Sequence, residues 1–232
     1  LSDLNLKFAF FEKCQIDTKD LSDILPYWPL RNRLGLPRYE YAARELATGA
    51  AFFAYADENT TTNASIFADY LAVHLKRHGI KTAEISCQSD NGSEYIGSVN
   101  KKTNHKSAFE KALLFHEIKH GRIPPRCSWL QGDVETFNRI VEAEFFEVES
   151  FESSGDFLGK AYAYQLYFNH IRKNRYRQSK SPLEILKERF PQVDEGVLSL
   201  PPIRLDHLEQ THVVEEDESG YHVPWPARWF NS

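Results

Sequence analysis

Methionine is missing from all 232 residues, position 1 included, so the chain is expected to be an excised piece of a longer protein. Cysteine is scarce. Cys14, Cys87 and Cys127 form no close pair, which excludes a disulfide scaffold and a four-cysteine zinc site. All three are read as reduced thiols, pointing to a cytoplasmic protein. No apolar run approaches the roughly 18 residues of a membrane span, so no membrane partner is expected. The N-terminal residues lack the apolar stretch of a secretory signal. An excess of basic charge is lacking too: 28 Lys and Arg face 33 Asp and Glu, a net charge of −5. What is abundant is aromatic: 16 Phe, 11 Tyr and 4 Trp exclude low-complexity disorder. The length suffices for one sizeable core.

The acidic average hides a pattern. Val193–Ser232 carries eight acids against two bases, so the remaining chain is near neutral. Within it, Asn100–Arg126 and His170–Phe190 each carry seven bases against two acids, and Asp133–Asp156 between them carries eight acids against one base. Two basic segments around an acidic one form a surface suited to an anionic polymer, whereas a uniformly acidic face is not.

Element by element, Phe8–Asp17 reads as a first strand ending at Asp17. Leu21–Pro37, with Pro26, Pro29, Gly35 and Pro37, reads as a connection. Arg38–Arg44 and Leu46–Ala56 read as two further strands, and the short gaps favour antiparallel pairing. A helix follows through Ala64, Phe67, Leu71 and Leu75, with N-cap candidates at Thr60–Asn63. Ile80–Cys87 is a fourth strand leading into Gln88–Gly92. Ala108–Phe115 is a short helix and His116–His120 a fifth strand. Helical spacing returns over Gln131–Val148, Asp156–Lys173 and Leu183–Arg189. The expected architecture is α/β: a five-stranded mixed sheet with helices on both faces, over residues 1–192. Residues 193–232 read as an acidic linker and a partial C-terminal extension, with one strand near Tyr221–Trp229.

Three acids fall where such a sheet would collect them. Asp17 closes the first strand, Asp90 follows the fourth, and Glu135 opens the helix after Pro124-Pro125. Carboxylates gathered from distant segments repel one another unless a cation offsets their charge. An all-oxygen set suits Mg²⁺, and two such ions are the usual apparatus of phosphoryl transfer. Spacing alone does not select these acids: Asp20 and Asp23 rival Asp17, and Asp133 rivals Glu135. Asp133 and Glu135 lie about 200° apart on a helix, so only one of them can face a given site.

The words around the acids are more specific. They are Gln15-Ile16-Asp17-Thr18-Lys19-Asp20, then Ser89-Asp90-Asn91-Gly92-Ser93-Glu94-Tyr95, then Pro124-Pro125 followed by Gly132-Asp133-Val134-Glu135. Tyr167-Phe168-Asn169-His170-Ile171-Arg172 and Ser181-Pro182-Leu183-Glu184 come after. In this order the chain, from about Lys13 to Arg189, resembles the catalytic core of retroviral integrases and of insertion-sequence DDE transposases. The resemblance implies an RNase H-like fold, with Asp17, Asp90 and Glu135 as catalytic and metal-binding residues. It implies Mg²⁺, with Mn²⁺ as a substitute and two ions, and no small-molecule cofactor. It implies DNA partners (element ends and target), a homo-multimer, and a bacterial protein working at the nucleoid. The implied reaction is cleavage at element ends followed by strand transfer by the freed 3′-hydroxyl. Asn91, Gly92 and Asn138 are expected to support the acids. Lys101, Lys102, Lys106, Arg122 and Arg126 are candidate DNA contacts, as are Arg172, Lys173 and Arg175; phosphate contacts would position DNA without reading its sequence. Gln131, Thr136 and the polar stretch Ser98–Ser107 depart from the family pattern. Two other readings stay open: an inactive core kept as a DNA-binding or dimerisation module, and a general nuclease of the same fold.

Overall fold

The structure is a computed structural model that describes residues 7–97, 105–124 and 132–207. Five strands form one sheet: β1 Lys13–Asp20, β2 Tyr39–Glu45, β3 Ala51–Ala56, β4 Ser86–Ser89 and β5 Lys119–Arg122. Their order is β3-β2-β1-β4-β5. The first three are antiparallel, and β1–β4 and β4–β5 are parallel. The helices are α1 Tyr27–Leu34, α2 Thr61–Arg77, α3 Ser93–Ile96, α4 Ala108–Phe115, α5 Gly132–Val141, α6 Ser154–His170 and α7 Pro182–Arg189. The mixed α/β sheet of the sequence reading is therefore present, with an apolar core on each face. One core joins Ile16, Phe52, Phe67, Leu71 and Phe109, and the other joins Tyr27, Phe53, Phe137, Phe145 and Phe157.

Several boundaries differ from expectation. Leu21–Pro37 contains a helix, α1, in spite of its prolines. Pro26 is its N-cap, Pro29 lies in the first turn, and Gly35 closes it at φ 64°. First-turn N–H groups have no intrahelical acceptor, so proline costs nothing there. β1 starts at Lys13, later than expected, because Phe11 turns the backbone to φ 61° and goes with Phe10 into the core. As a result Asp17 stands in mid-strand, not at the end. The helix over 131–148 continues past Val141 as one π-helical turn, Glu142–Phe146.

The outer edge of β3 is closed by side chains. Asn169 on α6 accepts from Ala51 N at 2.9 Å and donates to Ala51 O at 2.9 Å. Gln165, one turn earlier, accepts from Phe53 N at 3.0 Å. Tyr55 N donates to Ile203 O at 2.9 Å. Two strand residues advance about 6.6 Å and four helix residues about 6 Å, so amides at i and i+4 of a helix match alternate N–H groups of a strand. An edge covered in this way offers no ladder to another chain. The closing segment lies beyond residue 192: Val197, Leu198, Leu200 and Leu205 are in the core, and Arg204 pairs with Asp57 at 2.6 Å. The packed body thus reaches His207, and the strand expected near Tyr221–Trp229 lies outside the described residues.

Candidate functional site

The site is built on a strand and a helix that run side by side in register. Gln15 Oε1 accepts from Val134 N at 3.1 Å. Asp17 Oδ2 accepts from Asn138 Nδ2 at 2.7 Å. Lys19 Nζ pairs with Glu142 at 2.8 Å. Residues 15, 17 and 19 of β1 therefore face residues 134, 138 and 142 along α5, the same matching of two strand residues to four helix residues seen at the sheet edge. Asp17 is the middle rung of this ladder, which fixes its carboxylate more firmly than a strand terminus would.

Asp90 comes alongside through the parallel pairing of β1 with β4. Gln15 is opposite Gln88, the last pair of that register, and β4 ends at Ser89, so Asp90 follows directly beyond the strand and its charge reaches the Asp17 carboxyl. Neighbouring strands are about 4.8 Å apart. Asp90 Oδ1 accepts from Gly92 N at 2.8 Å, folding the loop into an Asx turn. Asn91 Nδ2 donates to Ile123 O at 2.7 Å and ties that loop to the end of β5. A Cβ on Gly92 would sit 2.6 Å from Glu94 Oε2, so a larger residue there would displace the end of the Glu94 side chain. Gly92 and Asn138 thus each bond an acid, and Asn91 ties the loop that carries Asp90 to the end of β5.

Glu135 lies in the first turn of α5, is exposed, and precedes Asn138 by three residues, about 60° round the helix. Its rival Asp133 turns the other way and pairs with the buried Arg177 at 3.2 Å. The acids act on one another. Asp17 is pushed up to about 6, first by burial, then by the charges of Asp90, Glu135 and Glu94, against a backbone hydrogen bond that lowers it. Glu94, on α3, is 8% exposed.

Whether these residues suit a cation follows from the donors. All are hard oxygens, and buried Asn138 Oδ1 has no hydrogen-bond partner. A set of carboxylates with a spare amide oxygen fits a hard divalent ion. Among the described residues, however, no three His, Cys, Asp or Glu side chains close on a point that would hold a metal ion. The acids share one electrostatic field without meeting at a vertex, as like charges do.

The basic candidates divide. Arg122 pairs with Glu110, Arg172 with Glu144 through Nε at 2.6 Å, and Lys173 with Glu184. Each has its charge engaged within the fold. Arg175 and Lys106 are exposed. Lys101, Lys102 and Arg126 lie outside the described residues, as do Trp129 and Cys127. Cys14 and Cys87 are free thiols in the core. Two features escaped sequence reasoning. The Gln15-x-Asp17-x-Lys19 ladder has a signal, alternating polar residues in a strand facing Val134, Asn138 and Glu142 at helical spacing. The burial of Glu94 has none.

No helix among the described residues is long and apolar enough to cross a membrane. No family model matches the chain, and no curated protein does. Solved structures do. The catalytic core domain of BIV integrase aligns with 78% of this chain and 97% of its own, at a TM-score of 0.50 and 14% identity. A chain of the simian T-cell lymphotropic virus intasome, solved with the PP2A regulatory subunit B56 gamma, aligns with 79% of this chain and 57% of its own, at 0.53 and 15%. At such identities the likeness speaks for architecture alone: this chain has the RNase H-like fold of a retroviral integrase catalytic core.

Proposed function

We propose that the chain is the catalytic core of a DDE polynucleotidyl transferase, an integrase or transposase that cleaves phosphodiesters at element ends and joins the freed 3′-hydroxyl to target DNA. The observation that carries this reading is the approach of Asp90, just beyond the end of β4, to Asp17 on the parallel neighbour β1, with Asn138 on Asp17 and Glu135 one turn before it. Asp17, Asp90 and Glu135 would hold the metal. Bound Mg²⁺, with Mn²⁺ as a substitute and two ions, would supply Lewis-acid stabilisation of the attacking and leaving oxygens. Asn138 keeps the Asp17 carboxylate from turning away, and the Asx turn does the same for Asp90. Lys106 and Arg175, exposed, would meet DNA phosphates in a homo-multimer that pairs two DNA ends.

The test is Asp90→Asn, which removes a charge and keeps the Asx turn's acceptor. Metal-dependent cleavage and joining of the element's own ends should be lost while the circular dichroism spectrum and melting temperature stay within a few degrees. Full activity in that variant would refute the assignment. A second reading, an inactive core retained as a docking module, is favoured by the failure of the acids to close on one point. It predicts no change in thermal stability on adding Mg²⁺ or Mn²⁺, where the first predicts stabilisation.

A further inference from the structure

Glu94 is the least explained polar side chain near the acids. It is 8% exposed, on a short helix held in place by two other contacts: the Tyr95 hydroxyl bonds Thr18 Oγ1 at 2.7 Å, and Ser107 Oγ donates to Tyr95 O. Neither involves Glu94. Among the described residues its carboxylate makes no hydrogen bond and no ion pair. Its oxygens are left to water, and ordering the loop does not account for their placement, because Tyr95, Asp90 and Asn91 already do that.

The direction of Glu94 is fixed by Gly92. Its two oxygens lie 2.6 and 2.8 Å from where a Gly92 Cβ would be, and the N–H of that same glycine is on Asp90 Oδ1. The Glu94 carboxylate therefore flanks the Asp90 turn, and its charge reaches Asp17 as well. On Asp17 itself, Asn138 donates through Nδ2 while its Oδ1 is a buried oxygen without a partner, on a residue that is 7% exposed. Two acceptors on different elements, Glu94 at the Asp90 turn and Asn138 on Asp17, thus have no donor among the described residues.

We propose that Glu94 is a positioning residue of the cation site, accepting hydrogen bonds from water carried by a divalent ion held between Asp17 and Asp90. Mg²⁺ and Mn²⁺ keep several waters when bound to a few carboxylates. A buried acceptor two residues beyond the Asp90 turn orients such waters without being a ligand itself, which agrees with the lack of a ready three-acid cage. Outer partners of this kind are worth roughly 10- to 100-fold in metal affinity. The inference rests on the reading of Asp17 and Asp90 as cation ligands.

The test uses the full chain, Mn²⁺ alone as probe, and titration followed by the electron paramagnetic resonance of free Mn²⁺, with melting temperatures in EDTA beside it. Glu94→Gln is nearly isosteric and keeps an acceptor but loses the charge. It should weaken Mn²⁺ binding about 10-fold or more while leaving the metal-free melting temperature unchanged or higher. Unchanged Mn²⁺ affinity overturns the proposal. So does a lower metal-free melting temperature with unchanged affinity, which would mark a purely structural carboxylate. Asp90→Asn separates the two levels: if Asp90→Asn abolishes binding and Glu94→Gln does not, only the role of Glu94 falls. If the unsubstituted chain binds no Mn²⁺, the cation site falls with it.

Discussion

Asp17→Asn should stabilise the metal-free protein, and the size of the gain should depend on pH. In the folded chain burial and the nearby acids push Asp17 up to about 6 from 3.8. The native state therefore holds this proton more tightly than the unfolded chain does. Ionising Asp17 costs stability: nothing below pH 3.8, an increasing amount between 3.8 and 6, and the full amount above 6. A shift of that size corresponds to about 3 kcal/mol, an upper limit because the side chain is partly open to solvent. In a chain of this length it is roughly 6–12 °C in melting temperature. Asparagine avoids the charge and still offers Asn138 Nδ2 an oxygen. Thermal unfolding in EDTA at half-unit steps from pH 4 to 8 gives the comparison. The two proteins should melt together near pH 4 and diverge upwards, with the variant ahead. Equal melting temperatures at pH 8, or an advantage that does not change with pH, would refute the claim that the acids share one field. Adding Mg²⁺ at pH 8 should then raise the unsubstituted protein alone.

Two further perturbations probe the scaffold. Glu40, fully buried in β2 beside the Tyr55 hydroxyl at 3.0 Å, is pushed up to about 8 by burial, with the Tyr55 hydrogen bond and Lys19 acting the other way. Glu40→Gln should match the unsubstituted protein below pH 4.5 and gain on it up to pH 8, by a few kcal/mol on the order expected for such a shift; a urea-melt difference that ignores pH would contradict this. Arg177 donates to Leu46 O at 2.8 Å and to Asp133 at 3.2 Å, tying the 174–180 loop and the β2–β3 turn to the first turn of α5. Arg177→Ala should cost about 2–3 kcal/mol, read as a lower urea midpoint, and a midpoint shift under 0.5 kcal/mol would show that the tie carries no weight.

How much of this was readable in the sequence varies by element. The helix through Phe67, Leu71 and Leu75 was, because one face is apolar at helical spacing and Thr60 caps it, accepting from Asn63 N at 3.1 Å. The Asp90 turn was too, since Asp-Asn-Gly specifies local geometry without help from the rest of the chain. α1 was hidden because Pro26 and Pro29 read as breakers when met in isolation, yet fall where a helix has no N–H to give up. β5, expected at His116–His120, falls instead at Lys119–Arg122, because Lys-His-Gly-Arg shows no apolar pattern and is a strand by pairing with β4. The position of Asp17 was misjudged for a related reason. A strand whose outward residues are Gln15, Asp17 and Lys19 looks finished once polar residues begin, and only the facing helix reveals that they continue it. The three proposed acids, Asp17, Asp90 and Glu135, stood out by their local words. Their mutual placement depends on the 15–88 register and on the α5 ladder, both tertiary facts.

The pairing of Asn169 with Ala51 deserves a functional reading as well as a structural one. The word Tyr167-Phe168-Asn169-His170-Ile171-Arg172 helped suggest a DNA-processing family, yet its Asn169 clamps an edge strand and its Arg172 is paired with Glu144. Both residues secure the sheet and helices that carry the acids. Among the described residues, Lys106 and Arg175 are the exposed candidates for the proposed DNA contact.

The account stands on the meeting of Asp17, Asp90 and Glu135 around a cation, and the most direct measurement is anomalous diffraction from a crystal of the chain soaked in Mn²⁺. A Mn²⁺ peak within coordination distance of carboxylate oxygens from both Asp17 and Asp90, with Glu135 turned towards it, is the predicted result. A saturating soak with no peak between those two side chains, or with Mn²⁺ held elsewhere while Asp90 stays turned away, would contradict it.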